Sequence, residues 1–303
     1  MSTLTIGGDD LAAPTTPAAS PARAAPPPHP VQEKKMASTP GVPLGDRCNA
    51  LLLAVLPPLL GLVLLLAIWY AATIKSTAIP GPVQTWEAAA KLFADPFYSN
   101  GPNDQGIGWN VLSSLQRVGV GFGFAALVGI PLGFMIGRFA FLSAMVNPII
   151  SLLRPVSPLA WLPIGLLVFK KADPAATYTI FICSIWPMIM NTAQGVQRVP
   201  QDYLNVARVL ALSEWKIVTK ILFPAVLPYM LTGIRLSIGT AWLVIVAAEM
   251  LTGGVGIGFW VWDEWNNLKV EHIIIAIFII GIVGLLLEQA LILAAKKLTK
   301  ESS

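Results

Sequence analysis

Six long apolar segments constrain what this chain can fold into. They lie at about residues 51–73, 112–137, 142–169, 175–197, 225–251 and 273–295. Each can cross the hydrocarbon core of a bilayer, which takes about 20 residues of α-helix. Lipid offers no hydrogen-bond partners to the backbone, so a single apolar segment crosses it as a helix. The sequence therefore predicts an all-α integral membrane protein with six transmembrane helices.

Composition supports this prediction and excludes several classes of protein. Hydrophobic residues make up 55% of the chain and charged residues 12%, whereas a soluble domain has about 25% charged residues. The basic residues stand singly at the ends of apolar segments, which argues against a nucleic-acid partner. Two cysteines and two histidines have no metal-ligand spacing. With no nucleophile or phosphate-binding motif, we expect a non-catalytic chain that carries no cofactor.

The first 46 residues differ from the remainder. They are rich in Ala, Pro, Ser and Thr, a composition that cannot bury a core and is typical of disordered chain. We expect a tail at 1–46, containing a second candidate start at Met36, and a transmembrane domain at 47–303. The tail is interpreted as a spacer, with partner binding as the alternative.

Lys and Arg are more frequent on the side of the membrane that holds both termini, and the positive-inside rule assigns this side to the cytoplasm.

Residues 199–224 form the one charged segment between apolar runs that reads as helix. Pro200 and Asp202 suit a helix start, and Ser213 suits the cap of a second helix. Four residues then fall at helical spacing and predict an apolar stripe: Tyr203, Val206, Ala207 and Leu210. This stripe needs a cover, either the membrane surface or a groove in a partner protein.

The same segment resembles the coupling loop of ABC importer permeases, which reads E-A-A, three residues, G, nine residues, I, two or three residues, L-P. The matching positions here are Asn205-Val206-Ala207, Ala211, Ile221, Phe223 and Pro224. The flanking runs Leu152–Phe169 and Gly233–Leu251 resemble the nitrate, sulfonate, taurine and bicarbonate permeases, and Gly253–Ile277 resembles the nitrate branch. The resemblance covers roughly residues 51–297.

This resemblance implies a type I ABC importer permease fold in the bacterial inner membrane. It implies two ATPase subunits that hold ATP and magnesium, a second permease copy forming a homodimer, and a periplasmic nitrate-binding protein. The implied cargo is nitrate, with nitrite as a second candidate. The residues implied to contact the ATPase are Asp202, Tyr203, Asn205, Val206, Ala207, Arg208 and Ala211.

Three ionisable residues within apolar segments are candidates for the substrate pathway. Such residues cost about 2.5–3.5 kcal/mol on insertion scales, so each needs a reason. Arg154 lies between prolines near the middle of its segment, where a broken helix and a fixed cation suit an anion. The alternative is a structural role, in which Arg154 pairs with an acid such as Glu249 or caps carbonyls that the prolines free. Arg235 has the same two interpretations, and Glu249 is better suited to neutralising a buried arginine.

The polar segment after residue 251 contains a dense aromatic group. Trp262, Asp263, Glu264 and Trp265 are candidates for an outer gate or a docking surface for a binding protein, and an aromatic belt at the interface is the alternative. Five glycines in the second apolar segment predict close helix packing: Gly119, Gly121, Gly123, Gly129 and Gly133.

Two rival functions stay open from sequence. The same machine could import bicarbonate, a sulfonate or taurine. A secondary carrier or channel would work without an ATPase and would have no use for the 199–224 element.

Overall fold

The computed structural model describes residues 44–75 and 78–301, so the predicted tail lies almost entirely outside the described residues. Within them the chain is helical and contains no β-strand. The helices are α1 Leu44–Thr73, α2 Pro82–Leu92, α3 Ile107–Arg138, α4 Ala140–Leu153, α5 Pro158–Phe169, α6 Ala172–Gln197, α7 Gln201–Val209, α8 Glu214–Ile217, α9 Phe223–Thr252, α10 Ile257–Asn266 and α11 Val270–Glu301, with a π-helical stretch at Val218–Leu222.

Four helical segments are long and apolar enough to cross a membrane: Val55–Thr73, Ile107–Arg138, Glu214–Thr252 and Val270–Lys297. The pair α4 and α5 makes a fifth if the two helices count as one span. The remaining predicted segment, the fourth in chain order, is α6, which is 26 residues long but less apolar because it carries several Thr, Ser and Asn side chains. Length and composition in the described residues therefore support four or five of the six predicted spans.

The third predicted span is broken rather than continuous. α4 and α5 meet at 99° across residues 154–157, where Pro155 and Pro158 flank the turn. A proline disfavours helical geometry in the residue before it and suits the first turn of the next helix; Ser157 before Pro158 is extended in this way, whereas Arg154 before Pro155 keeps helical geometry. Pro158 is accordingly the first residue of α5, and the break falls next to Arg154, where the sequence predicted it.

The core is built around α6, which packs between α3 and α9. Half of its 26 residues are buried. Some of its polar groups are bonded within the core, since the Thr179 hydroxyl donates to the Ala175 carbonyl at 2.9 Å and the Ser237 hydroxyl of α9 donates to the Ser184 carbonyl at 2.7 Å. The lower hydropathy of α6 thus reflects a helix that faces other helices more than lipid.

The glycines of α3 let it approach α6 closely, as predicted, but only some of them take part. A Cβ on Gly121 would lie 2.8 Å from Ile180, and one on Gly133 would lie 2.6 Å from Thr192. Gly129 faces α6 in the same way, whereas Gly119 and Gly123 face open space. The contact therefore follows one side of α3 at four-residue spacing.

Candidate functional site

Helix α7 begins directly after Pro200, as the sequence predicts. Its inner side is held by Leu204 and Ala207, which are 7% and 0% exposed. These side chains join an apolar cluster that includes Val196, Leu222 and Val226. Because the cluster draws on α6, α7 and α9, the short helix is fixed to the end of the helical core.

The outer side of α7 carries an exposed apolar surface. Tyr203, Val206 and Leu210 are 61%, 58% and 63% exposed, and Val209 at the end of α7 and Trp215 at the start of α8 are exposed as well. The predicted single stripe is therefore wrong in one respect, because Ala207 faces the core while its three predicted companions face outward. We call the surface formed by Tyr203, Val206, Val209, Leu210 and Trp215 the α7 surface.

The end of α7 is closed by a left-handed residue at Ala211, whose φ is 48°. The N–H of Leu212 donates to the Ala207 carbonyl and the N–H of Ala211 to the Arg208 carbonyl, both at 3.0 Å. These two bonds form a Schellman motif, in which the left-handed position is usually occupied by glycine because glycine has no Cβ. Ala211 occupies the glycine position of the loop pattern, so the structure explains that preference.

Charged contacts anchor the segment around α7. Nη2 of Arg138, at the end of α3, lies 3.1 Å from Oε1 of Glu214 at the start of α8. The Arg198 guanidinium lies over the Tyr229 ring, 5.4 Å from its centroid. The other polar residues predicted to face a partner are exposed, namely Asp202, Asn205 and Arg208.

Arg154 lies at the C-terminal end of α4, at the break before α5, and is exposed in the single chain. Among the described residues, no acidic side chain pairs with it, so the alternative in which Arg154 pairs with Glu249 is wrong. Its role as a pathway residue stays a prediction.

Glu249 forms a buried network at the opposite end of α9 from α7. Its carboxylate is 1% exposed and lies 2.5 Å from Nη1 of Arg117 on α3. It also accepts from the Ser114 hydroxyl, at 2.8–2.9 Å, and from the Gly258 N–H at 3.0 Å. Arg117 continues to Asp173 on α6, at 2.6 Å. The network therefore joins α3, α6, α9 and α10 at one end of the core.

Two glycines at the start of α10 make this network possible. A Cβ on Gly256 would collide with the Glu249 carboxylate, and one on Gly258 would collide with the Val246 carbonyl. The Gly256 N–H donates to Oδ1 of Asn110 at 2.9 Å. The glycines thus allow the backbone to pass directly against a buried charge.

Arg235 pairs with Glu288 of α11, with Nε 2.7 Å from Oε1. The pair spans two membrane helices, and both side chains keep partial exposure in the single chain. Arg235 therefore has a structural partner, Glu288, which the sequence analysis did not single out.

Helix α10 presents part of the predicted aromatic group. Trp262 and Trp265 are 42% and 57% exposed, and Asp263 is exposed beside them. Glu264 is only 7% exposed, and its Oε2 lies 3.0 Å from Nδ1 of His272 and 3.3 Å from Nζ of Lys269. Burial raises the pKa of Glu264, but His272 and Lys269 outweigh burial and hold the pKa below its usual value. Glu264 therefore serves internal packing rather than an outer surface.

The residues that sequence reasoning did not single out as site residues are mainly members of ion pairs. Arg117, Asp173 and Glu288 each complete an ion pair. A usable signal was present for Glu288, since it is the one carboxylate within its apolar segment at 273–295. The pairing of Arg117 with Glu249 could not be predicted from the sequence, because the two residues are 132 positions apart.

Comparison with known proteins places these features in context. The model of the family "Binding-protein-dependent transport system inner membrane component" matches residues 129–298. A chain of the MetNI methionine ABC transporter, solved in inward-facing conformations, shares the fold with a TM-score of 0.55 and 15% identity, covering 64% of this chain and 94% of that one.

Two relatives share much higher sequence identity. The chain is 48% identical over 236 residues to the nitrate import permease protein NrtB of Synechocystis sp., covering 78% of this chain and 86% of the relative. It is 45% identical over 239 residues to the bicarbonate transport system permease protein CmpB of Synechococcus elongatus, with the same two coverages. These likenesses confirm the predicted all-α permease fold and the predicted family resemblance.

Proposed function

The chain belongs to the family of binding-protein-dependent transport system inner membrane components, and on that premise we propose that it is the permease subunit of an ATP-driven nitrate importer. The coarser identity as an ABC importer permease, a non-catalytic membrane component, follows from the family and its relatives. Nitrate as cargo is supported by 48–49% identity to two nitrate import permeases.

The α7 surface is the observation that carries the coupling role. A short helix with its inner side locked to the core and five large side chains exposed outward needs a partner to cover it. In this proposal the partner is one of two ATPase subunits, which hold ATP and magnesium and dock on α7. The α7 end of the core then faces the cytoplasm of a bacterial inner membrane, and the distribution of Lys and Arg along the sequence assigns both termini to that side.

The remaining partners follow from the same proposal. Two permease copies enclose the pathway, and a periplasmic nitrate-binding protein docks at the α10 end through Trp262, Asp263 and Trp265.

In the proposed transport cycle, ATP binding closes the ATPases, α7 moves with them, and the pathway opens outward to accept the anion. Arg154 offers a permanent positive charge at the α4–α5 break on that pathway, whereas Arg235 and Glu249 support its walls through their ion pairs.

An energetic argument supports a pump rather than a channel for such a cargo. Bringing one negative charge into an inside-negative cell costs about 2.3 kcal/mol per 100 mV. Accumulation against this potential requires coupling to ATP or to ions, and the exposed α7 surface supplies a place where ATPases act.

The test is uptake of labelled nitrate in cells with this gene and the neighbouring ATPase genes deleted, restored with the chain alone, with the ATPase genes alone, or with both. The proposal expects uptake only when both are present. Uptake by this chain alone would overturn the ATPase coupling.

Bicarbonate is the second candidate cargo, because CmpB relatives match at 45% identity over the same share of the chain. Normal nitrate uptake in the deletion strain, together with lost bicarbonate uptake, would move the assignment to bicarbonate. Lost growth on sulfonates or taurine instead would move it to those compounds.

A further inference from the structure

Four polar residues lie along one side of α4, at spacings of four, four and three: Ser143, Asn147, Ser151 and Arg154. At 100° per residue they fall within an arc of about 80°. The Asn147 amide donates to the Ser143 hydroxyl at 2.9 Å. We call this the polar side of α4.

The opposite side of α4 is apolar and exposed. Phe141, Met145, Ile149 and Leu152 are 78%, 51%, 51% and 72% exposed. These side chains suit lipid or an apolar partner. Hydroxyl and amide groups facing hydrocarbon without partners are costly, so a side of a membrane helix that carries several of them together is better placed against water or a polar partner.

A cavity of about 750 Å³ lies against the polar side, between α4 and the ends of α3, α6 and α7. Ser143, Asn147 and Ser151 line it, together with Gln197 of α6 and Gln201 of α7. Arg138 is the one charged residue among its lining residues, and Arg138 pairs with Glu214. The cavity therefore offers neutral hydrogen-bond donors and no carboxylate.

We propose that the polar side of α4 forms the wall of the inner half of the anion pathway, between Arg154 and the cytoplasmic mouth. The class of ligand is a small monovalent oxyanion that accepts hydrogen bonds from Ser143, Asn147 and Ser151 in turn. This inference rests on the proposed function for its direction and its cargo.

Neutral donors suit this half of the pathway for a physical reason. A pathway must bind its ion well enough to admit it and weakly enough to release it. Hydroxyl and amide groups meet the second condition better than a row of cations. Gln201 begins α7, so any displacement of α7 by the ATPases also changes the width of the mouth.

The first test is thiol accessibility in the assembled transporter, in inside-out membrane vesicles. Single cysteines replace Ser143, Asn147 and Ser151, or the matched controls Met145, Ile149 and Leu152, in a chain carrying Cys48→Ser and Cys183→Ala. The probe is a membrane-impermeant trimethylammonium methanethiosulfonate. The polar side should react at least about tenfold faster than the controls, because the reactive thiolate needs water, and nitrate should slow the reaction.

Unreactive cysteines on the polar side, in a complex that still imports nitrate, would overturn the pathway and leave the proposed function standing. Reactive cysteines protected by bicarbonate instead of nitrate would support the pathway and overturn the nitrate assignment alone.

The second test adds a charge at the centre of the polar side. Asn147→Asp should lower anion uptake by about tenfold or more, because a carboxylate within a few ångströms repels the cargo. Asn147→Gln keeps the donor and should retain most of the uptake. Asn103→Asp, in an exposed loop, is the matched control. Equal uptake by the Asn147→Asp and Asn103→Asp complexes would overturn the proposal.

Discussion

The Glu249 carboxylate lies 2.5 Å from Nη1 of Arg117, at the contact between α9 and α3. The carboxylate is almost fully buried and also accepts hydrogen bonds from the Ser114 hydroxyl and the Gly258 N–H. An ion pair in such a site stabilises the fold only while both partners are present, because either charge alone is left buried without compensation.

Removing the Arg117 guanidinium should therefore destabilise the protein strongly. Arg117→Met should lower the free energy of unfolding by about 3–5 kcal/mol, measured by thermal and denaturant unfolding in detergent. Asp173→Asn removes the exposed partner of the same arginine and should cost at most about 1 kcal/mol. Adding Glu249→Gln to Arg117→Met should recover part of the loss. If both single variants were equally mild, the buried pair would not hold this end of the core.

The close contact between α3 and α6 predicts opposite effects for two glycines on α3. Gly133→Ala places a Cβ 2.6 Å from Thr192 and should destabilise the protein by about 1–3 kcal/mol through overpacking. Gly123→Ala faces open space and should stabilise it by about 0.5–1 kcal/mol, because alanine favours a helix over glycine. Thermal unfolding of both variants checks this prediction. If both substitutions changed the stability in the same direction, the close contact between α3 and α6 at Gly133 would be contradicted.

The left-handed Ala211 predicts a stabilising substitution. Ala211→Gly should raise the free energy of unfolding by about 1 kcal/mol, because the left-handed conformation costs an L-residue about 1–2 kcal/mol. Ala90→Gly, in the ordinary helix α2, should have the opposite sign. Amide hydrogen exchange at Leu212 provides a local measure, since its N–H bonds to the Ala207 carbonyl. Faster exchange in Ala211→Gly would contradict the prediction.

The α7 surface predicts uncoupling without misfolding. Val206→Asp and Arg208→Glu should insert normally but reduce the ATPase stimulation that accompanies transport, by about tenfold for a loss of 1.4 kcal/mol in docking. Val83→Asp, an equally exposed valine on α2, is the matched control. Full stimulation in the α7 variants would show that the ATPase docks elsewhere.

The lowered pKa of Glu264 predicts a dependence of stability on pH. The unfolded carboxyl binds a proton near its ordinary pKa of 4.5, and the folded one only at lower pH. The stabilising contribution is therefore complete above pH 4.5 and is lost as pH falls through the folded pKa. The wild-type protein should be more stable than Glu264→Gln at pH 6, with the difference shrinking below pH 4.5. A difference that is constant from pH 6 to pH 3 would contradict the prediction.

The amino-acid sequence determined the helical segments and their interruptions, because these depend on neighbours along the chain. Apolar length predicted the membrane helices, Pro155 and Pro158 predicted the break at Arg154, and Pro200 predicted the start of α7. The resemblance at 205–224 predicted the family that comparison confirms.

Only the tertiary structure decided which residues meet. Periodicity grouped Ala207 with Tyr203, but packing against Val196 and Leu222 turned Ala207 inward and left Tyr203 exposed. Glu249 could have paired with any buried arginine, and the crossing of α9 and α3 selected Arg117 instead of Arg154. The physical reason is common to both cases: a residue's neighbours in sequence define the helix, whereas the side that is buried depends on how other helices pack against it, whether they are close in sequence, as for Ala207, or 132 positions away, as for Arg117 and Glu249.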